Sequence, residues 1–197
     1  MKMQMKETEL ERLTVLELIQ NVPGVIEYHK NGTKLNSGIV STIRFNLELV
    51  LSLSMGLDAV SEVFMAEAKP YYSMNSVNQI GGEATGAIPI ISGMLSKALK
   101  YEMEISGFWV SKDGKVNGSI FEYQDYINVD DVSTTGGSFN RVSAVAARYN
   151  SLPHAAFAII DRGAEPAYEK AGVRYKYMFT EQEALQGTEY EHLLRRI

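Results

Sequence analysis

Two adjacent carboxylates, Asp130 and Asp131, follow a short apolar run and precede a series of small hydroxylated residues. The apolar run contains Tyr126, Ile127 and Val129 and is bounded by turn-forming residues, which is typical of a buried strand. Carboxylates accept hydrogen bonds from hydroxyl groups and are oxygen ligands for Mg²⁺. The pair therefore predicts a ligand that carries hydroxyl groups or a metal ion.

A turn of small residues follows the carboxylates at positions 133–138, with the sequence Ser-Thr-Thr-Gly-Gly-Ser. An amphipathic stretch, residues 139–149, predicts a helix directly after it. Glycine lets the main chain approach a ligand closely, and the free N–H groups of a helix N-terminus attract an anion. The turn predicts a phosphate site, and together with the carboxylates it indicates a phosphorylated sugar. The alternative is an ordinary strand-to-helix turn with a Ser or Thr cap.

Residues 129–138 resemble the phosphoribosyl pyrophosphate (PRPP) signature of the type I phosphoribosyltransferases, with the orotate phosphoribosyltransferases as the nearest branch. The resemblance implies that the acidic pair holds the ribose 2- and 3-hydroxyls and has a catalytic role. It also implies that the small-residue turn holds the 5-phosphate and that Thr134 contacts the base. The PRPP-binding residues implied here are Val129, Asp130, Asp131, Val132, Ser133, Thr134, Thr135, Gly136, Gly137 and Ser138.

A second strand–turn–helix pattern precedes the signature. Residues 76–80 predict a strand, residues 81–89 read Gly-Gly-Glu-Ala-Thr-Gly-Ala-Ile-Pro, and a helical stretch continues to Lys100. The amides of such a turn can again bind an anion. The run resembles the pyrophosphate-side loop of the same family, with Ala87 in place of its last glycine. The PRPP contacts implied are Glu83, Ala84 and Thr85.

A polar segment at residues 111–118, Ser-Lys-Asp-Gly-Lys-Val-Asn-Gly, predicts a mobile loop or a hairpin tip with solvated lysines. It resembles the basic catalytic loop of orotate phosphoribosyltransferases, with Ser111 and Asn117 where that loop has arginine and histidine. The resemblance implies that Lys112 binds PRPP. It also implies that Lys115 is catalytic and reaches the pyrophosphate in a neighbouring subunit when the loop closes.

Two further segments could contact the ligand. Residues 29–34 predict a polar turn, either a solvated hairpin tip or a basic lip over an anionic site. Within them, Lys30-Asn31-Gly32 resembles a segment of orotate phosphoribosyltransferases, which implies that Lys30 contacts both PRPP and the base. Ser37-Gly38 replaces the aromatic residues usual in the family. Arg162 follows a strand predicted at 154–160, and the resemblance implies that it contacts the base; the alternative is an exposed arginine at the start of a helix.

The surrounding pattern predicts the elements that position these residues. Strands alternate with helices from residue 76 onward, which indicates a parallel sheet with right-handed crossovers. We expect an α/β fold of the type I phosphoribosyltransferase type, a mainly parallel sheet flanked by helices under an N-terminal helical and strand cap, or hood. One domain would span 1–197, with the cap at 1–70, the core at 71–180 and a C-terminal helix at 181–197. The expected helices lie at 7–20, 45–68 (broken at Met55-Gly56 and ended by Lys69-Pro70), 139–150, 165–171 and 181–195, and the other strands at 25–28, 105–110, 119–121 and 173–179.

Composition limits the class of protein. The chain has 197 residues, a formal net charge of −5 and no cysteine. The negative charge argues against general nucleic-acid binding. The absence of a long apolar run argues against a membrane span, and the absence of cysteine and of a signal-peptide pattern leads us to expect a cytoplasmic protein. The histidines, His29, His154 and His192, lack metal-ligand spacing, so we expect no metal site built from histidine.

These features predict transfer of ribosyl 5-phosphate from PRPP to a nitrogenous base with release of pyrophosphate. Orotate is the expected acceptor, and orotidine 5-phosphate, an intermediate of pyrimidine biosynthesis, is the expected product. Two alternatives stay open: a phosphoribosyltransferase for another base, and a catalytically inactive regulator that binds PRPP or a nucleotide. The resemblance also implies Mg²⁺ at the pyrophosphate and a homodimer with shared active sites.

Overall fold

The computed structural model describes residues 2–35, 38–74 and 77–196. The predictions for Ser37 and for a strand beginning at Ser76 lie outside these residues. Among the described helices, none combines the length and the hydrophobicity needed to cross a bilayer.

A six-stranded sheet forms the centre of the fold, in the order β5-β4-β3-β6-β7-β8. Its strands are β3 (Val77–Glu83), β4 (Ser106–Val110), β5 (Val116–Gly118), β6 (Asp125–Ser133), β7 (Pro153–Asp161) and β8 (Arg174–Thr180). Every neighbouring pair is parallel except β4 and β5. The central strands are buried almost continuously, as parallel strands covered on both faces are. The expected α/β fold with a mainly parallel sheet is confirmed.

Helices cover both faces of this sheet. They are α1 (Lys2–Asn21), α2 (Glu48–Leu51), α3 (Ser54–Met74), α4 (Ala87–Lys97), α5 (Gly137–Ala146), α6 (Glu165–Lys170) and α7 (Glu181–Leu185), with 3-10 turns at Ala98–Tyr101, Ala147–Tyr149 and Glu191–Arg196. On one face, α3 packs between α1 and α4. Residues alternate along β6: Ile127 and Val129 join the core under these helices, whereas Tyr126 packs with Val142 of α5 on the other face.

An antiparallel hairpin of β1 (Ile26–Lys34) and β2 (Val40–Phe45) forms the hood. Residues 29–34 therefore belong to a strand, and the predicted polar turn there is wrong. Thr33 and Lys34 pair with Ser41 and Val40, after a register shift that follows Tyr28. The error has a physical cause, because a hairpin strand that is largely open to water needs no apolar alternation.

The long helix α3 differs from its predicted course at both ends. The helical region breaks near residues 52–53 instead of at Met55-Gly56, and α3 continues through Pro70 to residue 74. Tyr71 accounts for the continuation, because it is buried and its ring packs against His154 and Phe157. Tertiary packing here outweighs the cost of proline in a helix.

Two shorter elements also lie away from their predicted positions. The strand that pairs with β4 is Val116–Gly118, whereas residues 119–121 were the expected return strand. The C-terminal helix α7 ends at Leu185, and Gly187 has a φ of +78°, in the left-handed region that ends helices. The expected helix over 181–195 is thus a short helix followed by a turn and a separate 3-10 segment.

Candidate active site

A cleft of about 680 Å³ opens between the hood and the carboxyl ends of β3, β4, β6 and β7. The hood and α2 line it with Lys34, Leu35, Arg44, Phe45, Asn46, Leu47 and Glu48. The sheet edge lines it with Glu83, Ala84, Thr85, Gly86, Ser111, Lys112, Asp130, Asp131, Val132, Ser133, Thr134, Gly136, Gly137, Ser138, Arg141 and Arg162. In open α/β sheets, ligands bind outside the carboxyl ends of the strands, so the cleft lies where the fold favours a ligand.

Most of the predicted site residues line this cleft, but four do not. Val129 is fully buried beneath it, and Thr135 is exposed beside it. Lys115 is exposed outside the cleft of its own chain. Lys30 is also exposed and does not line the cleft of its own chain, so its contact with PRPP and the base stays a prediction. Because residues 29–34 form a strand, Lys34 at the end of β1 lines the cleft.

The small-residue turn runs into the N-terminus of α5. Gly136 precedes the helix with a φ of +69°, and a Cβ there would lie 2.8 Å from that of Ala167. No side chain caps the helix, and Gly137 and Ser138 line the cleft. The amide donors of the first turn are therefore available to an anion. Ser133 differs, because its hydroxyl is already hydrogen bonded to that of Tyr168 at 2.9 Å.

The acidic pair lies at the end of β6 without a cation. Asp130 Oδ1 accepts a hydrogen bond from the Asp131 N–H at 3.1 Å, and Asp131 Oδ1 accepts one from the Val132 N–H at 2.8 Å. Among the described residues, no basic side chain forms an ion pair with either carboxylate. Burial raises the pKa of Asp130 well above its usual value and the charge of Asp131 raises it further, and burial also raises the pKa of Asp131. A ligand with hydroxyl donors would relieve this electrostatic cost.

The turn after β3 is shorter than predicted. Gly81 and Gly82 lie within the strand, where an added Cβ would come within 2.3 Å of the Phe108 ring and of Ala87 Cβ, respectively. These glycines serve packing, and the turn itself consists of residues 84–86, with a cis peptide bond between Ala84 and Thr85. The Ala84 N–H donates to the Val110 carbonyl at 2.9 Å, and the Thr85 hydroxyl donates to Glu48 at 3.2 Å.

Glu83, at the end of β3, is paired with Arg141 of α5, a residue that the sequence interpretation missed. The Nε and Nη2 atoms of Arg141 donate to the two carboxylate oxygens of Glu83, the second at 2.7 Å. Burial alone would raise the pKa of Glu83, but hydrogen bonds from Arg141 and Ser138 more than offset it and hold the pKa below its usual value. The only sequence signal for Arg141 is its position one helical turn after Gly137.

Arg162, at the end of β7, joins the hood to the sheet. Its Nη1 donates to the Ile43 carbonyl at 3.2 Å and its Nη2 to Ser41 Oγ at 2.9 Å, both in β2. Nη2 also donates to Glu181 at 2.6 Å, and the guanidinium lies 5.6 Å from the centre of the Phe45 ring. The Nε atom is buried and has no partner among the described residues. The Nε–H group thus lacks an acceptor among the described residues.

The segment with the two predicted loop lysines is a tight hairpin turn between β4 and β5. The Ser111 N–H donates to the Lys115 carbonyl at 3.0 Å, and Asp113 accepts from the Ser111 hydroxyl at 2.6 Å. Lys112 lines the cleft and Lys115 does not. The structure thus has the hairpin geometry, and movement of this turn as a lid stays a prediction.

The described residues include no group of three or more His, Asp or Glu side chains placed to hold a metal ion. Asp130 and Asp131 are nonetheless hard oxygen donors that form no ion pair within the described part of the chain, so they fit a Mg²⁺ ion whose other ligands come from a bound phosphate ester.

Comparison of sequences finds relatives that are named orotate phosphoribosyltransferase. No protein-family model matches the chain. The orotate phosphoribosyltransferase of Rhodopirellula baltica is 30% identical over 131 residues, which cover 62% of this chain and 67% of the relative. The orotate phosphoribosyltransferase of Methanothermobacter thermautotrophicus is 26% identical over 177 residues, which cover 87% of this chain and 92% of the relative.

Solved structures share the fold. Mycobacterium tuberculosis orotate phosphoribosyltransferase in complex with PRPP has a TM-score of 0.70 and 19% identity, over 88% of this chain and 98% of its own. The Aeropyrum pernix orotate phosphoribosyltransferase has a TM-score of 0.69 and 22% identity, over 87% of this chain and 97% of its own. Identities this low establish the architecture alone.

Proposed function

The chain belongs to the orotate phosphoribosyltransferases of the type I phosphoribosyltransferase family, and on that premise we propose that it transfers ribosyl 5-phosphate from PRPP to orotate, with release of pyrophosphate. The observation that carries the proposal is the pair Asp130 and Asp131, which forms no ion pair with the described residues and lies beside the uncapped N-terminus of α5 in one cleft. This combination is complementary to a sugar that bears a diol next to a phosphate.

The binding steps follow from these groups. The ribose 2- and 3-hydroxyls donate to Asp130 and Asp131, each of which has only one backbone N–H donor among the described residues. The amides of the first turn of α5, with Thr134, receive the 5-phosphate. The turn at residues 84–86 borders Asp131, because a Cβ at Gly86 would lie 2.6 Å from its carboxylate, and we assign the diphosphate to this turn. Lys112, which lines the cleft, adds positive charge.

The reaction exchanges one bond at C1 of the ribose. The C1–O bond to pyrophosphate breaks and pyrophosphate leaves with the bonding electron pair, while a nitrogen lone pair of the base forms the new C1–N bond. The proton of that nitrogen is released to solvent. Positive charge develops on the ribose ring in the transition state, and the adjacent carboxylates stabilise it. Asp130 and Asp131 would hold a Mg²⁺ ion bound with the diphosphate, and the ion would supply positive charge to the leaving group.

The basic side chains of the hood support an anionic acceptor. Lys34 and Arg44 line the cleft from the hood, and Arg162 lines it from β7 beside Phe45. Orotate carries a carboxylate that these cations would attract, and the aromatic ring of Phe45 can pack against a planar base. A neutral pyrimidine lacks the charge that would match three cations.

The loop lysine belongs to the dimer part of this proposal. Lys115 lies outside the cleft of its own chain, which is compatible with a contact between Lys115 and the ligand in the active site of a second copy. We therefore propose a homodimer with shared active sites. We also propose a cytoplasmic location.

The decisive experiment measures orotate consumption and pyrophosphate release with PRPP and Mg²⁺, and it uses uracil as the matched acceptor because uracil is the same ring without the carboxylate. We expect turnover of orotate and little turnover of uracil. Turnover of another base in place of orotate would move the assignment to a different acceptor. PRPP binding by calorimetry with no turnover of any base would favour the inactive regulator.

A further inference from the structure

Negatively charged side chains lie close to the proposed phosphate site. Three carboxylates, Glu83, Asp130 and Asp131, line the cleft together with the turn that precedes α5. Like charges within a partly buried cleft repel more strongly than in bulk water. Helix amides carry only partial charges, so a doubly charged phosphate placed there needs a full cation nearby.

Arg141 is a cation that lies beside that turn. Its side chain lies one helical turn after Gly137, lines the cleft and is 46% exposed. A Cβ built on Gly137 would lie 3.5 Å from Arg141 Nη1, which places this nitrogen directly beside the turn. No described residue accepts a hydrogen bond from Nη1, whereas Nε and Nη2 are engaged by Glu83.

We propose that Arg141 binds the 5-phosphate of the sugar through Nη1 and that Glu83 is the positioning residue that holds the guanidinium for this contact. The inference rests on the proposed function and adds to it one binding residue and its support. The guanidinium is suited to both contacts because its planar fork donates two parallel hydrogen bonds to a carboxylate and keeps further N–H groups for a second anion.

Glu83 is needed because Arg141 has a competing partner. The charge of Asp130 also acts on Arg141, and contact with Asp130 would draw the guanidinium toward the carboxylates that the ribose diol requires. The two-point contact with Glu83, which is only 7% exposed, fixes the guanidinium beside Gly137 instead.

Calorimetric titration with two probes tests the proposal. Ribose 5-phosphate occupies the 5-phosphate position, and pyrophosphate occupies the diphosphate position. We expect Arg141→Gln to weaken binding of ribose 5-phosphate by about 10- to 100-fold, the usual effect of losing a charge-assisted hydrogen bond, and to weaken binding of pyrophosphate much less. Arg141→Lys should give an intermediate loss.

The matched control is Arg148→Gln, which removes the same charge from an exposed position that does not line the cleft. It should leave both affinities unchanged. The proposal is overturned if Arg141→Gln binds ribose 5-phosphate as tightly as the wild type, or if both probes lose affinity equally, which would indicate a general charge effect. Thermal unfolding of each variant separates loss of fold from loss of binding.

Glu83→Gln tests the positioning role. We expect it to weaken ribose 5-phosphate binding, and the double variant with Arg141→Gln to be no weaker than Arg141→Gln alone, because residues that act together are non-additive. Additive losses, or tighter binding by Glu83→Gln, would contradict this role. A wild type that binds ribose 5-phosphate but turns over no base would refute the proposed function while leaving the Arg141 test intact.

Discussion

Gly86 lies against the carboxylate of Asp131, so that a Cβ at Gly86 would stand 2.6 Å from both Cγ and Oδ1 of the aspartate. The turn after β3 and the acidic pair at the end of β6 are therefore in direct contact. This contact is possible because β3 and β6 are adjacent parallel strands whose carboxyl ends meet at the same edge. The proposed diphosphate and ribose contacts are neighbours as a consequence.

Gly86→Ala should reduce activity through this contact. Its φ of −57° is open to any residue, so the effect of a methyl group there is steric and not conformational. The methyl group must displace Asp131 or the turn, and we expect kcat/KM to fall by about 10- to 100-fold and stability to fall by about 1–3 kcal/mol. Steady-state kinetics and urea unfolding measure the two effects.

The control for this variant is Gly172→Ala. That glycine has a φ of +69° and open space around it, and it lies in the turn after α6. We expect a stability loss of about 1 kcal/mol from backbone strain and no change in kcat/KM. Equal activity losses in the two variants would show that the contact with Asp131 does not matter.

Asp130→Asn should make the protein more stable and less active. Burial first, and the charge of Asp131 second, raise the pKa of Asp130 in the folded state, so ionisation there opposes folding. Asparagine keeps the size and removes the charge. We expect a stability gain of about 0.5–2 kcal/mol at pH 8 and a loss of activity of about 100-fold or more.

The pH dependence of that gain follows from linkage. Because the folded pKa is above the unfolded value, the folded wild type loses stability as the pH rises from the ordinary aspartate range through the raised pKa. The advantage of Asp130→Asn should therefore be largest above the raised pKa and disappear toward about pH 4. Asp113→Asn is the control. A hydrogen bond from the Ser111 hydroxyl lowers the pKa of the exposed Asp113, so removal of the Asp113 charge should give no stabilisation at pH 8.

Arg162→Lys should weaken binding of the acceptor base more than binding of PRPP. Lysine cannot reproduce the contacts to Ser41 and Glu181 or the buried Nε–H group. We expect the KM for orotate to rise by about tenfold or more, with a stability loss of about 1–3 kcal/mol. Arg174→Lys, an exposed arginine of β8, is the matched control and should change neither KM. A KM for PRPP that rises as much as that for orotate would contradict the placement of the base beside Arg162.

Mixing inactive variants should reveal whether active sites are shared. Lys115→Ala should lose activity by about 100-fold or more, as removal of a principal electrostatic stabiliser does. Mixing it with Asp131→Asn should restore activity, because one hybrid site then has an intact Asp131 and receives Lys115 from the other subunit.

Lys112→Ala is the control for this mixing experiment. Lys112 and Asp131 line the same cleft of one chain, so Lys112→Ala mixed with Asp131→Asn leaves a defect in every site. Activity restored in both mixtures, or in neither, would refute a site completed by Lys115 of a second copy.

The strand, the acidic pair and the turn before α5 could be predicted from short stretches of the sequence alone. A β-prone apolar run, two carboxylates and a glycine turn before an amphipathic segment lie within residues 126–138, and the structure places them as strand, site and helix in that order. Each signal acts between residues a few positions apart, so the chain specifies it without reference to distant segments.

Packing decided the elements whose local signals were weak or contrary. Residues 29–34 look like a polar turn, yet pairing with β2 makes them a strand. Pro70 looks like the end of a helix, yet the burial of Tyr71 carries the helix past it. In both cases the deciding contacts come from distant parts of the chain, which a local pattern does not contain.

The sequence by itself determined which groups could hold a ribose phosphate, and only the tertiary structure decided how the arginines beside them are held. Arg141 and Glu83 are 58 residues apart, and Arg162 reaches Ser41 across 121 residues. Such pairs form because parallel strands bring their carboxyl ends to one edge and the hood folds over that edge. Charge balance in the cleft is therefore a property of the assembled fold, since it depends on distances in space that spacing along the chain does not encode.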